Sequence, residues 1–281
     1  MRAALAGLAG VIAPAAARAQ EALEVIGAPV PGGTGFQPAV TPNAVAIQGL
    51  ENLIMMIITG IVILVTLLIL WTVFRYNRRA NPTPARFTHN SPLEVTWTVA
   101  PIVILVFIGA FSLNVLIDEQ TMPDDPDVTI NITGYQWHWG YEYPGEDISF
   151  RSFMLARDQL EENGFTDAEY RLATDRAMVV PTGETVLVNI TAADVIHAWM
   201  VPAFGVKQDA VPGRTAQAWI RVEPGREGIY FGQCNVLCGL NHAFMPIMVK
   251  AVTPEQYQNW LEETKTADAS GTAATRLAAA E

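Results

Sequence analysis

Two long stretches of this chain, residues 52–74 and 95–117, carry no charged side chain and are dominated by Ile, Leu, Val, Met and Phe. Written as helices at about 1.5 Å per residue, each reaches about 34 Å, enough to cross a bilayer. Pro101 falls in the first turns of the second stretch, where unpaired backbone groups are most easily tolerated. Residues 75–92 join the two and hold Arg75, Arg78, Arg79 and Arg86 without an acid, so the positive-inside rule puts this loop in the cytoplasm.

After residue 117 the pattern changes to short β-rich runs separated by Pro, Gly and Asp. The runs at 128–133, 185–191, 218–222, 228–231 and 247–252 predict an antiparallel sandwich or Greek-key barrel. Residues 158–170 read as a polar helical insertion. A last helix is predicted from the capping box Thr253-Pro-Glu-Gln256 to about Lys265.

The ends modify this picture. Residues 1–19 have the charged start, apolar centre and small-residue cleavage site of a secretory signal peptide, which places the mature N-terminus outside, in agreement with the arginine loop. Residues 20–47 read as an irregular exported arm, 48–117 as the hairpin, 118–265 as the exported domain and 266–281 as a disordered tail. From Asp118 onward there are 24 acids against 11 bases. That balance repels nucleic acid and suits a basic partner.

The chemistry lies in Cys234-Asn-Val-Leu-Cys238-Gly-Leu-Asn-His242-Ala-Phe-Met245, preceded by His197 in Val-Ile-His-Ala-Trp. Two thiolates, two imidazoles and a thioether form a soft donor set that favours copper over magnesium or calcium. A single blue copper needs one Cys; the second argues for two ions bridged by sulfur. Two other readings stand beside it: a disulfide between the cysteines, and a zinc site that leaves Met245 without a role.

The spacing Cys-x-x-x-Cys-x-x-x-His-x-x-Met with the upstream His resembles the copper-binding subunit II of cytochrome c oxidases. The resemblance extends to Ala85-Arg-Phe-Thr-His-Asn-Ser-Pro-Leu-Glu94 and to Gln136-Trp-His-Trp-Gly-Tyr-Glu-Tyr143. It implies a two-helix membrane hairpin plus a cupredoxin-like β-sandwich on the periplasmic side of a bacterial inner membrane. There the sandwich would dock on subunit I, which holds the haems, the other copper, the oxygen chemistry and the coupled proton pumping. The implied ligands to a dinuclear copper centre are His197, Cys234, the carbonyl of Val236, Cys238, His242 and Met245.

The resemblance also implies electron uptake through Trp137, a proton-path entrance at Glu94, and docking of cytochrome c on Glu142, Asp175 and Asp194. His138 stands where the family usually has Tyr, and either tunes docking with pH or is a surface residue. Arg151 stands where a close relative carries an acid. Val236 replaces a Glu whose carboxylate reaches a magnesium or manganese ion at the border with subunit I, so that ion site is expected to be weakened, water-filled or empty. The hairpin separates this chain from the soluble nitrous oxide reductase, and the cysteines separate it from quinol oxidase subunits. A copper-delivery protein would instead need an exposed, exchangeable site.

Overall fold

The structure is a computed structural model that describes residues 23–269. The expected signal peptide lies outside the described residues. Helix α1 spans Pro42–Arg75 and α2 spans Ser91–Gln120. Both begin ahead of their apolar stretches because local capping, rather than hydropathy, sets a helix start. Thr41 caps α1 by accepting from Ala44 N at 3.1 Å, with Pro42 at the first position. At α2, Asn90 Oδ1 accepts from Leu93 N and Glu94 Oε1 accepts from Asn90 N, each at 3.2 Å, a reciprocal box. Pro101 therefore stands well inside α2 rather than in its first turns, and denies the Trp97 carbonyl its helical donor. The apolar windows of both helices, of mean hydropathy 3.1 and 2.5, have no buried residue, as lipid-facing helices require.

Outside the hairpin the described residues form eleven strands. The first half are β1 (Val25–Gly27), β2 (Val128–Tyr135), β3 (His138–Tyr143), β4 (Ile148–Ser152) and β5 (Met178–Pro181). There follow β6 (Val186–Ala192), β7 (His197–Val201), β8 (Val206–Ala210), β9 (Ala216–Ile220), β10 (Gly228–Cys234) and β11 (Pro246–Val252). One sheet runs β4-β3-β2-β6-β9 and the other β5-β11-β10-β7-β8, with β1 beside the first half of β10. Alternate residues point inward, so Ile130 and Ile132 of β2, Trp139 and Tyr141 of β3, Trp199 of β7 and Val249 of β11 fill the space between the sheets. Each such side chain stabilises the fold by about 1.5–3 kcal/mol relative to exposure.

The sandwich departs from the expected one in three places. β2–β6, β5–β11 and β1–β10 are parallel pairs, so the sheets are mixed rather than antiparallel. The long connections between those partners leave room for the crossovers that parallel pairing needs. The polar insertion is a set of 3-10 turns, Arg157–Gln159, Glu161–Asn163 and Asp167–Glu169, because Gly164 at φ +80° ends the second of them. Its Leu160 still packs with Phe231 and Met248 on the outer face of the second sheet. The arm is not irregular throughout, since β1 joins that sheet.

The hairpin is tied to the sandwich at the start of α1. Val40 N donates to Ala203 O at 3.1 Å and Thr41 Oγ1 to Phe204 O at 2.7 Å, both in the turn Pro202–Phe204 that follows β7. Gly205 lies at φ +69°, where a Cβ would come within 2.7 Å of Ala44 Cα. Helix α3 (Pro254–Ala269) closes the far side through Tyr257 and Leu261, with Trp260 5.1 Å from the Tyr143 ring. Thr253 and Gln256 exchange the two bonds of its capping box, and the helix continues four residues past Lys265. Residues 270–281 of the expected tail lie outside the described residues.

Candidate metal centre

The site forms where two strands end. His197 opens β7 and Cys234 closes β10, and these strands pair antiparallel with Cys234 opposite Trp199. Residues 235–245 then loop back to β11, bringing Cys238, His242 and Met245 beside Cys234. The two Sγ atoms lie 3.9 Å apart and both thiols are free. Each sulfur faces its own imidazole: His197 Nδ1 is 3.8 Å from Cys234 Sγ, and His242 Nδ1 is 3.6 Å from Cys238 Sγ. Met245 Sδ lies 3.5 Å from Cys238 Sγ and the Val236 carbonyl 3.3 Å from Cys234 Sγ. Sulfurs 3.9 Å apart can both lie within a metal–thiolate bond, about 2.3 Å, of one ion, and nearly twice a disulfide bond separates them.

The protonation pattern follows from burial and contact. Burial opposes the Cys234 thiolate, but hydrogen bonds led by that of His197 outweigh it and bring this thiol down to about 7. Burial and then the negative charge on Cys234 push Cys238 up to about 12. The first negative charge on the pair therefore opposes a second. Burial lowers the His197 pKa, while its bonds to Cys234 and Asp194 raise it further than burial lowers it. The donors present suit a soft, thiophilic cation that neutralises both sulfurs.

Neighbouring residues orient these ligands. Asp194 Oδ1 accepts from His197 Nε2 at 2.9 Å, and its other oxygen accepts from Gln136 N at 2.7 Å. Gln136 Nε2 and Trp137 Nε1 both donate to the Cys238 carbonyl, at 2.9 and 3.3 Å. Gly239, at φ +122°, lets the Trp137 ring lie against the loop, where a Cβ would come within 3.1 Å of Trp137 Cζ2. Trp139 Nε1 donates to Met245 O at 3.2 Å, and its ring meets that of His197 edge-on at 6.0 Å. Gln136 and Trp139 lie in the run that carries the resemblance and Gly239 in the cysteine stretch, but the sequence assigned none of them a role. A Gly immediately after a ligand Cys was the available signal for Gly239.

Comparison with known proteins gives the family. Residues 128–252 match the family of the cytochrome c oxidase subunit II periplasmic domain, and residues 29–115 that of its transmembrane domain. Cytochrome c oxidase subunit 2 of Cereibacter sphaeroides is 57% identical over 274 residues, which cover 92% of this chain and 89% of the relative. The chain belongs to the cytochrome c oxidase subunit II family. A probable subunit 2 of Rickettsia bellii is 41% identical, over 86% of this chain and 88% of that one. The crystal structure of the periplasmic domain of subunit II of cytochrome oxidase (CoxB) of Bradyrhizobium japonicum has 41% identity and a TM-score of 0.45, covering 52% of this chain and 98% of the other.

As a member of this family, the chain is a subunit of a cytochrome c oxidase. The other residues singled out lie in two places. Trp137, Glu142, His138 and Arg151 line one concavity of about 880 Å3 on the outer face of the first sheet. Asp194 touches it through Gln136, and Asp175 through the Phe153 backbone N–H, accepted at 2.8 Å. His138 is not a surface residue: it is 8% exposed, stacked between Tyr135 at 4.7 Å and Phe153 at 4.5 Å. Burial and the nearby Arg151 lower its pKa to about 4, so it stays neutral near pH 7. Glu94 lies at the opposite end of α2 from the sandwich, roughly 40 Å away along a helix rising about 1.5 Å per residue, where its carboxylate completes the α2 cap.

Proposed function

We propose that this subunit takes electrons from a soluble cytochrome c at a dinuclear copper centre and hands them to the haem-bearing subunit, where oxygen is reduced to water with proton pumping. The observation that carries this reading is the paired arrangement of one imidazole Nδ1 on each of two sulfurs 3.9 Å apart. His197, Cys234, Cys238, His242, Met245 and the Val236 carbonyl would hold the metal. A copper pair there supplies a one-electron redox step. Zinc is the weaker fit because the donors number two thiolates, two imidazoles and a thioether, one more than a closed tetrahedral zinc site takes.

The protein's own groups do the rest. Trp137 reaches the surface concavity on one side and the Cys238 carbonyl on the other, so an electron arriving at its ring is one hydrogen bond from a ligand residue. Glu142, Asp175 and Asp194 present negative charge around that concavity and favour encounter with a basic partner. His197 is fixed by Asp194. Glu94 lies at the mouth of α2, with the arginine loop facing the cytoplasm and the sandwich the periplasm of a bacterial inner membrane. There Glu94 gathers protons for the catalytic subunit.

The test is metal analysis of the purified oxidase. The wild-type complex carries two copper ions more than the Cys234→Ser complex; equal copper in both would overturn the proposal.

A further inference from the structure

Where the hairpin meets the sandwich there is a cavity of about 670 Å3, within the ~300–1,000 Å3 range of small-molecule sites. Its lining divides by charge. Pro42 and Asn43 come from the first turn of α1, and Arg221 from the residue that follows β9. Asp118 and Glu119 come from the last turn of α2, with Asp124 just beyond. Because the two helices run in opposite directions, the positive end of one macrodipole and the negative end of the other border the same space.

Arg221 forms no ion pair among the described residues, and neither do the three acids. The rest of the wall that concerns recognition is apolar: Ala46 and Ile47 on α1 and Val115 on α2, at the level where the membrane spans begin.

We propose that this cavity binds the headgroup of a membrane aminophospholipid, one carrying both a phosphate and a primary ammonium, with an acyl chain running down past Ile47 and Val115. The phosphate lies toward Arg221 and the α1 N-terminus. The ammonium lies toward Asp118, Glu119, Asp124 and the α2 C-terminus. A purely anionic head would set its charge against three carboxylates. A quaternary ammonium keeps the charge but has no N–H to donate. The order of preference is therefore phosphatidylethanolamine, then phosphatidylcholine, then phosphatidylglycerol. The position of the cavity at the end of two membrane spans selects a lipid over a soluble phosphate.

The proposal rests on membrane insertion and not on copper. The experiment is native mass spectrometry of the intact detergent-solubilised oxidase offered an equal mixture of the three lipids. One phosphatidylethanolamine is retained by the wild type. Arg221→Gln weakens its retention on the order of tenfold, the loss expected for a charge-assisted hydrogen bond, and Arg221→Lys restores part of it. Glycerophosphoethanolamine, which lacks acyl chains, fails to displace the lipid at matched concentration. Preferential retention of phosphatidylglycerol, unchanged retention in Arg221→Gln, displacement by the soluble headgroup, or occupation of the cavity by another subunit would each overturn the proposal. The metal-centre absorption of the same samples reports folding, so a failed copper reading and a failed lipid site are told apart.

Discussion

Asp194 accepts a hydrogen bond from His197 Nε2 at 2.9 Å, which leaves Nδ1 of the same ring facing Cys234 Sγ at 3.8 Å. The pair fixes both the tautomer and the tilt of a ligand imidazole, and the second Asp194 oxygen ties in the backbone of Gln136, next to Trp137. One carboxylate thus couples the first residue of β7 to the backbone beside the surface concavity.

Asp194→Ala should therefore weaken copper binding by about 10–100-fold and alter the copper absorption, as loss of an orienting partner does elsewhere. Copper dissociation from the oxidase into a competing chelator measures this. An unchanged dissociation rate, with only slower association of cytochrome c, would reduce Asp194 to a docking charge.

For Glu142 the expectation is different. It is exposed and holds only Asn131, so Glu142→Gln should slow cytochrome c association and flatten its salt dependence, with turnover at saturation little changed. Trp137→Gln should do the reverse: binding nearly intact, electron uptake lost. Stopped-flow reduction at several ionic strengths separates the two, and a rate insensitive to salt would count against this docking face.

His138 gives a prediction about acid. Its folded pKa of about 4 lies below the ordinary 6.5, so the unfolded chain binds the extra proton first and stability is lost as pH falls from 6.5 toward 4. At about 1.4 kcal/mol per pKa unit the loss is on the order of 3 kcal/mol. Thermal unfolding of the oxidase's sandwich between pH 7 and pH 4 should show a steeper decline in the wild type than in His138→Tyr, whose phenol does not titrate there. Parallel declines would place the acid sensitivity elsewhere.

Val236 places a carbonyl, which any residue has, 3.3 Å from Cys234 Sγ, but its side chain carries no carboxylate. Manganese should therefore be held weakly by the intact oxidase, and Val236→Glu should strengthen its binding. A tightly held manganese in the wild type would contradict this.

Much of this was readable in advance because it is local. The ligand set from Cys234 to Met245 is packed into twelve residues, and the spacing alone brings them to one loop. His197 needed the fold: it reaches Cys234 only because β7 and β10 pair. The parallel partners of β2 and β5 are set by tertiary register, which alternation of polar and apolar residues does not encode. The early start of α1 is set by its cap at Thr41, which the limits of an apolar stretch do not show. The burial of His138 takes the ring of Phe153, which follows β4, as well as that of nearby Tyr135, a contact absent from any local pattern.

The most direct test is the electron paramagnetic resonance spectrum of the oxidised intact complex, with copper counted on the same sample. Two free sulfurs between two imidazoles predict one unpaired electron shared equally by two copper nuclei, lost in either Cys234→Ser or Cys238→Ser. A spectrum confined to a single copper nucleus, or a native Cys234–Cys238 disulfide, would contradict the account.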